Sequence, residues 1–483
     1  MEKLIMCLFI VFFELSNIFN LINNNVSKTF IILFTILTIG LNILMYVVSK
    51  LIKNKKLETK FLIIGSFIGI IYLFGIPMMK GTDEIPHFNR IYQIYSGNIV
   101  ITDKTEVKVP ENVKKYSDPK GLEFYQKDVI FEKDSKKLEL MNMEDAASGY
   151  VPIQYIPQVL GYTTAKIFNF GPFISFYMVR LFNLVAFLLI SFYALKRIPI
   201  KKEIVSILYL APATLSLVST MSGDAFLNAN TLLFIAIVFD NLYNQKELNK
   251  KDLIMLLFTG TVIGTIKTVY IPILLLPLLL KDKKWKKCLI ILLPVLAGLI
   301  WSKLSSNMSG LTNGDAALQL EFIFKNPLNY LTIFFKTFTN DVYYYITNLF
   351  AGSEMIQGAA EVNGFLVIGY TLIFILSFFN DNREYKINNI VKYVILFIFL
   401  LILGAVATTM YIGWTPLYDG IGGSNIIGVQ SRYFIILVPI LIALIPNKFK
   451  KIKYDFSNYV LLLSGLIALD TISSVLIFYF QLI

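Results

Sequence analysis

Long apolar runs alternate with short basic clusters along this chain. Leu4–Ile22, Thr29–Ile52 and Phe61–Met79 each supply the ~20 predominantly apolar residues a helix needs to cross roughly 30 Å of hydrocarbon with its backbone hydrogen bonds satisfied internally. Pro172–Leu195, Glu203–Met221, Ala225–Tyr243, Leu289–Lys303, Phe365–Phe379, Val391–Tyr411, Tyr433–Ile445 and Tyr459–Phe480 read as further crossings. Leu253–Leu280 has basic clusters at both ends and a break at Gly264–Thr268, so two short helices turning at Lys267 on the outer side are expected. The pattern predicts about thirteen spans. The first run lacks the small-residue cleavage site of a signal peptide and is read as a retained helix.

Orientation follows from where the basic clusters fall. Lys50–Lys60, Lys196–Lys202, Asn244–Asp252, Lys281–Lys287 and Asn447–Tyr454 lie in short connections, the positive-inside pattern. They share one side if two segments are kept out of the bilayer. Val151–Phe170 is broken by Pro152, Pro157 and Gly161, and Pro327–Phe350 carries Lys336, Asn340 and Asp341, so both are placed on the outer surface as peripheral helices. The amino terminus is then inside and the carboxyl terminus outside. The predicted division is 1–79 (three spans), 80–170 (outer loop and peripheral helix), 171–303 (spans four to nine), 304–362 (outer loop with amphipathic helix) and 363–483 (the last four spans). This is an all-α polytopic membrane protein with a long first outer loop.

Composition narrows the function. With 56% hydrophobic and only 16% charged residues, a soluble enzyme is excluded, as are disordered, collagen-like and disulfide-stapled chains. The net charge of +12 is accounted for by the basic connections, and no nucleic-acid recognition motif accompanies it. Cys7 and Cys288 lie at inner ends of runs and are expected to be inert packing residues.

Charged side chains near the bilayer are costly and usually line wet cavities or serve function. Asp83, Glu84, His87 and Arg90 follow the third span, Asp224 tops a helical hairpin, Lys267 tops another, and Arg432 begins a late span, so all converge on the outer face. A helix beginning near Pro86 puts His87, Arg90 and Ile94 on one face and both carboxylates at its positive end, which keeps them ionised. Asp83 and Glu84 can then take a proton from a hydroxyl or hold a divalent cation, or they are simply a cap and its solvated neighbour. His87, the only histidine, lacks the partners a catalytic zinc needs, so a hydrogen-bonding or packing role is expected. No G-x-S-x-G elbow supplies a serine nucleophile. Asp224 reads as a helix N-cap, Lys267 as a phosphate-binding point charge or a snorkelling lysine, and Arg432 as a bidentate phosphate ligand or an interfacial anchor with Tyr433. Asp470, deep in the last span, is expected to bond a neighbouring helix.

The ordered motifs Asp83-Glu84-x-x-His87-Phe88-x-Arg90, Pro152-x-x-Tyr155, Arg180-x-x-Asn183, Ser222-x-Asp224, Lys267-x-x-Tyr270 and Gln430-x-Arg432-Tyr433-Phe434 resemble the bacterial membrane-protein family DUF2142 over roughly residues 60–445. The Asp-Glu in the first large outer loop is also similar to GT-C glycosyltransferases, including protein O-mannosyltransferases and the aminoarabinose transferase of lipid A. That resemblance implies a GT-C-like fold in a bacterial cell membrane with the active site facing outside. It also implies a sugar donor carried on polyprenyl phosphate and a glycan acceptor, with no cofactor required beyond a divalent cation where one is used. Asp83 is then the base and Glu84 its partner, with either able to hold the metal. Lys267 and Arg432 hold the lipid phosphate, and His87, Arg90, Tyr155, Arg180, Asp224, Tyr270 and Tyr433 join them in substrate binding. Pro86 lengthens the spacing by one residue relative to the Asp-Glu-x-His-Phe of mannosyltransferases. The alternatives are a transporter or flippase of a lipid-linked glycan and a polysaccharide polymerase. A transporter calls for polar groups at mid-membrane, whereas the charges noted here gather at one face, which favours the enzyme.

Overall fold

The computed structural model describes residues 2–23, 27–101, 107–117, 127–141, 147–306, 315–351, 364–379, 388–445 and 457–480. The chain opens with α1 (Glu2–Asn23), α2 (Lys28–Leu51) and α3 (Leu57–Gly75). The long segment after α3 holds α4 (Glu84–Tyr95), strand β1 (Val107–Pro110), α5 (Glu111–Ser117), α6 (Lys127–Ile130) and strand β2 (Leu138–Met141), followed by α7 (Ile156–Ile167). The central helices are α8 (Pro172–Arg197), α9 (Lys202–Tyr209), α10 (Pro212–Val218), α11 (Asp224–Tyr243), α12 (Lys250–Ile266) and α13 (Lys284–Ser305). Next come α14 (Asp315–Lys325), α15 (Pro327–Asn340), α16 (Val342–Phe350), α17 (Gly364–Ser377), α18 (Asn389–Gly413), α19 (Thr415–Asp419), α20 (Val438–Leu441) and α21 (Ser457–Phe480).

Among the described residues, seven helices are long and apolar enough to cross a membrane: α2, α3, α8, α11, α13, α18 and α21. Of the remaining crossings expected from the sequence, Leu4–Ile22 falls on the 22-residue α1 and the others on shorter helices. The outward faces of α2, α13 and α18 expose Leu33, Ile36, Leu296, Ile300, Phe397 and Leu400, an apolar belt that suits lipid and not water. α11 is almost wholly enclosed and forms the centre, packed against α8 and α12, and α12 packs in turn on α13. The α12–α13 contact is backbone to backbone, because a Cβ on Gly298 would meet the Gly264 carbonyl oxygen at 2.2 Å.

Several breaks have local causes. The expected span Glu203–Met221 is two short helices parted at Leu210–Ala211, where Pro212 opens α10 at a position needing no N–H. The expected turn at Lys267 is present, and beyond it Thr268–Leu279 winds as a 3-10 helix containing Pro272 and Pro277. Ser431–Leu444 likewise alternates 3-10 and α turns. The amphipathic segment 327–350 splits at Asp341 into α15 and α16. The 12-residue α7 spans only about 18 Å, too short to cross, and lies along α8. The long outer loop is not purely helical, since β1 and β2 pair antiparallel with Val107 opposite Met141. Both cysteines are exposed on helix surfaces, and neither packs in the interior as expected.

Four of the five basic connections meet at one end of the bundle, and the fifth, Asn447–Tyr454, lies outside the described residues. Arg197 at the end of α8 pairs with Asp240 at 2.8 Å and Asp252 at 2.7 Å. Asp282 accepts the Leu248 N–H, and Lys286 bonds the Leu248 carbonyl. Lys60 reaches Asn458, and Lys201 the Phe378 carbonyl.

Candidate functional site

At the opposite end, a cavity of about 430 Å³ opens among α4, the ends of α11, α12, α13 and α18, and the loop residues Ala147, Gly149 and Tyr150. Seven of the residues singled out from the sequence line it: Asp83, His87, Asp224, Lys267, Tyr270, Arg432 and Tyr433.

The turn that delivers Asp83 is held from behind. After α3, Met79 and Asp83 both adopt left-handed backbone conformations (φ 60° and 56°), each costing roughly 1–2 kcal/mol in a non-glycine residue. The turn persists because Glu84 is clamped beneath it. Arg180 Nε donates to Glu84 Oε1 at 2.7 Å and Nη2 to Oε2 at 2.6 Å, with neither side chain exposed. Arg180 also donates to the carbonyls of Leu73, Ile76 and Pro77, and the Gly81 N–H donates to Glu84. Helix α4 therefore starts at Glu84 with Asp83 as its cap residue, three residues ahead of His87. Asp83 is left half-exposed at the cavity wall.

Asp224 is positioned in the same indirect way. Asn183 and Gln158 both donate to the Ser222 carbonyl, and Asn183 also to that of Thr220. Gly223 lies against Gln154, where a Cβ would come within 2.4 Å. Gly223 is the cap of α11 and Asp224 its first residue, so the carboxylate is not spent on capping as the sequence suggested. It pairs instead with Lys267 at 2.7 Å.

Lys267 sits at the junction of α12 and the following 3-10 helix, its ammonium 4.9 Å from the centre of the Tyr433 ring. Tyr270 donates to the Tyr433 carbonyl at 2.9 Å and fixes the strand of backbone that carries Arg432. Arg432 Nη2 bonds Asp83 Oδ2 at 2.5 Å, while its Nε and Nη1 are buried without a partner. Two carboxylates and two cations thus meet as two ion pairs, Asp83 with Arg432 and Asp224 with Lys267.

Titration follows from these contacts. Burial pushes the Asp83 carboxyl up, but the adjacent Arg432 outweighs it and holds the group below the usual carboxylate range. Burial drives the His87 imidazole down to about 4 against the pull of Asp83 and Asp224, so it is neutral at pH 7. Its Nδ1 lies 2.6 Å from the Tyr155 hydroxyl, which accounts for Tyr155 behind the cavity wall.

Glu84, Arg90, Tyr155 and Arg180 do not line the cavity. Arg90 is fully buried and ties the outer loop together through the Tyr150 and Ile99 carbonyls and Gln93. Because Glu84 is turned away into the Arg180 clamp, Asp83 and Glu84 do not face one another across a common cation position. Among the described residues no group of three or more His, Cys, Asp and Glu is placed to hold a metal.

Tyr150, Trp301 and Trp414 line the cavity too, and none of them belongs to a motif read from the sequence. Trp301 donates to the Gly149 carbonyl at 3.0 Å, closing the loop over the site. The one signal available was position, since all three are aromatic residues at outer ends of predicted elements.

No curated protein and no solved structure matches this chain. Residues 66–441, which contain all of the cavity-lining positions named above, match the family described as predicted membrane protein (DUF2142), and the chain belongs to that family.

Proposed function

We propose that this protein is a GT-C-like glycosyltransferase of the outer membrane face, moving a sugar from a polyprenyl-phosphate donor to a cell-surface glycan. The observation that carries the reading is Arg432. It lies in a cavity of mixed polar and apolar lining, one N–H edge on Asp83 and the others buried and unpartnered, so an anion entering the cavity meets donors that nothing else satisfies. Lys267 supplies a second cation within the same cavity.

In this reading the donor phosphate takes the free edge of Arg432 and competes with Asp83 for Nη2. The pairing that keeps Asp83 a weak base is relieved by the substrate itself. The acceptor hydroxyl oxygen then forms a bond to the anomeric carbon and its proton passes to Asp83. The bond from that carbon to the phosphate oxygen breaks, and the electron pair leaves with the polyprenyl phosphate, stabilised by Lys267 and Arg432. In this reading the basic end of the bundle faces the cytoplasm, by the positive-inside bias, and the cavity at the opposite end opens to the outside.

Transfer from polyprenyl-phosphate sugars by the purified protein in nanodiscs tests the proposal. Asp83→Asn keeps the shape and removes the proton acceptor, so transfer falls by about 10²–10⁴-fold while polyprenyl-phosphate binding persists. Unchanged transfer in the Asn variant removes Asp83 from the chemistry. Absence of polyprenyl-phosphate binding by the parent removes the whole reading.

A further inference from the structure

A second group of polar side chains is buried far from the cavity, half-way along the helices that flank the family core. Glu14 lies near the middle of α1, Thr38 and Asn42 near the middle of α2, and Asp470 near the middle of α21. Thr38 Oγ1 donates to Glu14 Oε2 at 2.7 Å, and Asn42 Nδ2 to Oε1 at 3.3 Å. Asp470, on the helix packed against α1 and α2, is 1% exposed and has Glu14 and the Asn17 amide as polar neighbours, with no hydrogen bond of good geometry to either carboxylate oxygen. The Asn42 amide oxygen, on a residue 2% exposed, is likewise buried and unpartnered beside Glu14. The unpartnered acceptors are oxygens, and the one donor beside Asp470 is the Asn17 amide nitrogen, too poorly aligned to make a hydrogen bond of good geometry.

Nothing nearby compensates the charge. Against α21 pack α1, α2, α3, α9, α10 and α17. Their other titratable groups are either phenols or lie near helix ends. Tyr72 donates to the Ala468 carbonyl and Tyr370 to that of Ile207, while Lys28, Lys50, Glu58, Lys60, Lys202 and Glu203 lie toward the ends of their helices. Two carboxyls facing one another in a low-dielectric interior cannot both hold a negative charge without a counter-ion.

We infer that Glu14, Asn42 and Asp470 form a binding site at mid-membrane depth for one monovalent cation, H⁺ or Na⁺. A proton is held on one of the two carboxyls and neutralises it. Na⁺ takes the free carboxylate oxygens of Asp470, an oxygen of Glu14 and the Asn42 amide oxygen, a hard-cation set made only of oxygens. The site is independent of glycosyl transfer, and intramembrane carboxyls of this kind mark ion pathways.

A hydrophobic carbodiimide, which modifies protonated carboxyls in apolar surroundings, reads the site directly. The full-length protein in nanodiscs is treated over a range of pH in choline chloride or in NaCl, and the adducts are located by peptide mass spectrometry. In choline, modification of Asp470 or Glu14 is expected at neutral pH and declines as the pH rises. Asp470→Asn and Glu14→Gln, which preserve shape, each remove the adduct at their own position with the elution profile unchanged. Protection by NaCl assigns the ion as Na⁺, and modification indifferent to NaCl assigns it as H⁺. Absence of modification at both carboxyls at every pH in choline, with the protein folded, overturns the inference.

Discussion

The Glu84–Arg180 clamp separates an anchoring role for Glu84 from a catalytic one. Removing one partner of a fully buried ion pair costs about 3–5 kcal/mol, because the other charge is stranded. Arg180→Met leaves the Glu84 carboxylate with only the Gly81 N–H, at 3.1 Å, and falls at the upper end. Glu84→Gln leaves Arg180 bonded to the carbonyls of Leu73, Ile76 and Pro77 and falls near the lower end, about 3 kcal/mol. The double variant removes both charges and should lose clearly less than the sum, the non-additivity expected of residues in contact. Thermal unfolding in nanodiscs, followed by tryptophan fluorescence and paired with polyprenyl-phosphate binding, measures all three. The expected pattern is a lowered Tm in each single variant and partial recovery in the double. If Glu84→Gln leaves Tm unchanged but abolishes transfer, Glu84 acts in the reaction and the anchoring argument fails.

Three further outcomes are expected. Lys267→Met and Arg432→Met each weaken polyprenyl-phosphate binding by roughly ten- to a hundredfold, the equivalent of ~1.5–3 kcal/mol per charge-assisted contact, as measured by quenching of Trp301 and Trp414; parental affinity in both variants refutes the phosphate assignment. Because the folded His87 titrates near 4 and the unfolded one near 6.5, the neutral imidazole contributes stability above pH 6.5 that is lost as the pH falls toward 4, on the order of 3 kcal/mol in total; His87→Asn should flatten that part of the stability–pH curve. Gly223→Ala drives a methyl group into Gln154 and should cost about 1–3 kcal/mol, read as a lower Tm with loss of the Asp224–Lys267 contact; a neutral effect means the turn tolerates displacement.

The clustering of Asp83, His87, Asp224, Lys267 and Arg432 at one end of the bundle was legible because charged residues at the ends of apolar runs are rare and costly. What each carboxylate does was not legible. Asp83 and Glu84 are adjacent in sequence, yet the left-handed conformation at Asp83 sends one to the cavity and the other into the clamp. Arg90 and Arg180 looked like ligand-binding cations and are internal struts, because besides Gln93 and Glu84 they bond backbone carbonyls, which carry no sequence signal. The helix breaks were readable where a proline or a charge punctuates the run, as at Pro212 and Lys267. The α12–α13 approach was not, since it depends on two glycines 34 positions apart meeting across an interface. Asp470 illustrates the same limit at longer range: its neighbour Glu14 lies at the other end of the chain.

The two ion pairs in the cavity have a consequence for how a ligand arrives. Their four charges cancel, so little field extends beyond the mouth, and at ordinary ionic strength it decays within a Debye length of about 10 Å. A dissolved anion is therefore not steered toward Arg432, and the attraction begins only at contact range, where the anion reaches the free Nε and Nη1 edge. A ligand confined to the bilayer needs no such guidance, because two-dimensional diffusion brings its headgroup to the right depth. The association rate of a membrane-borne phosphate should accordingly vary with its surface density and scarcely at all with salt, which makes the protein selective for where an anion comes from as well as for what it is.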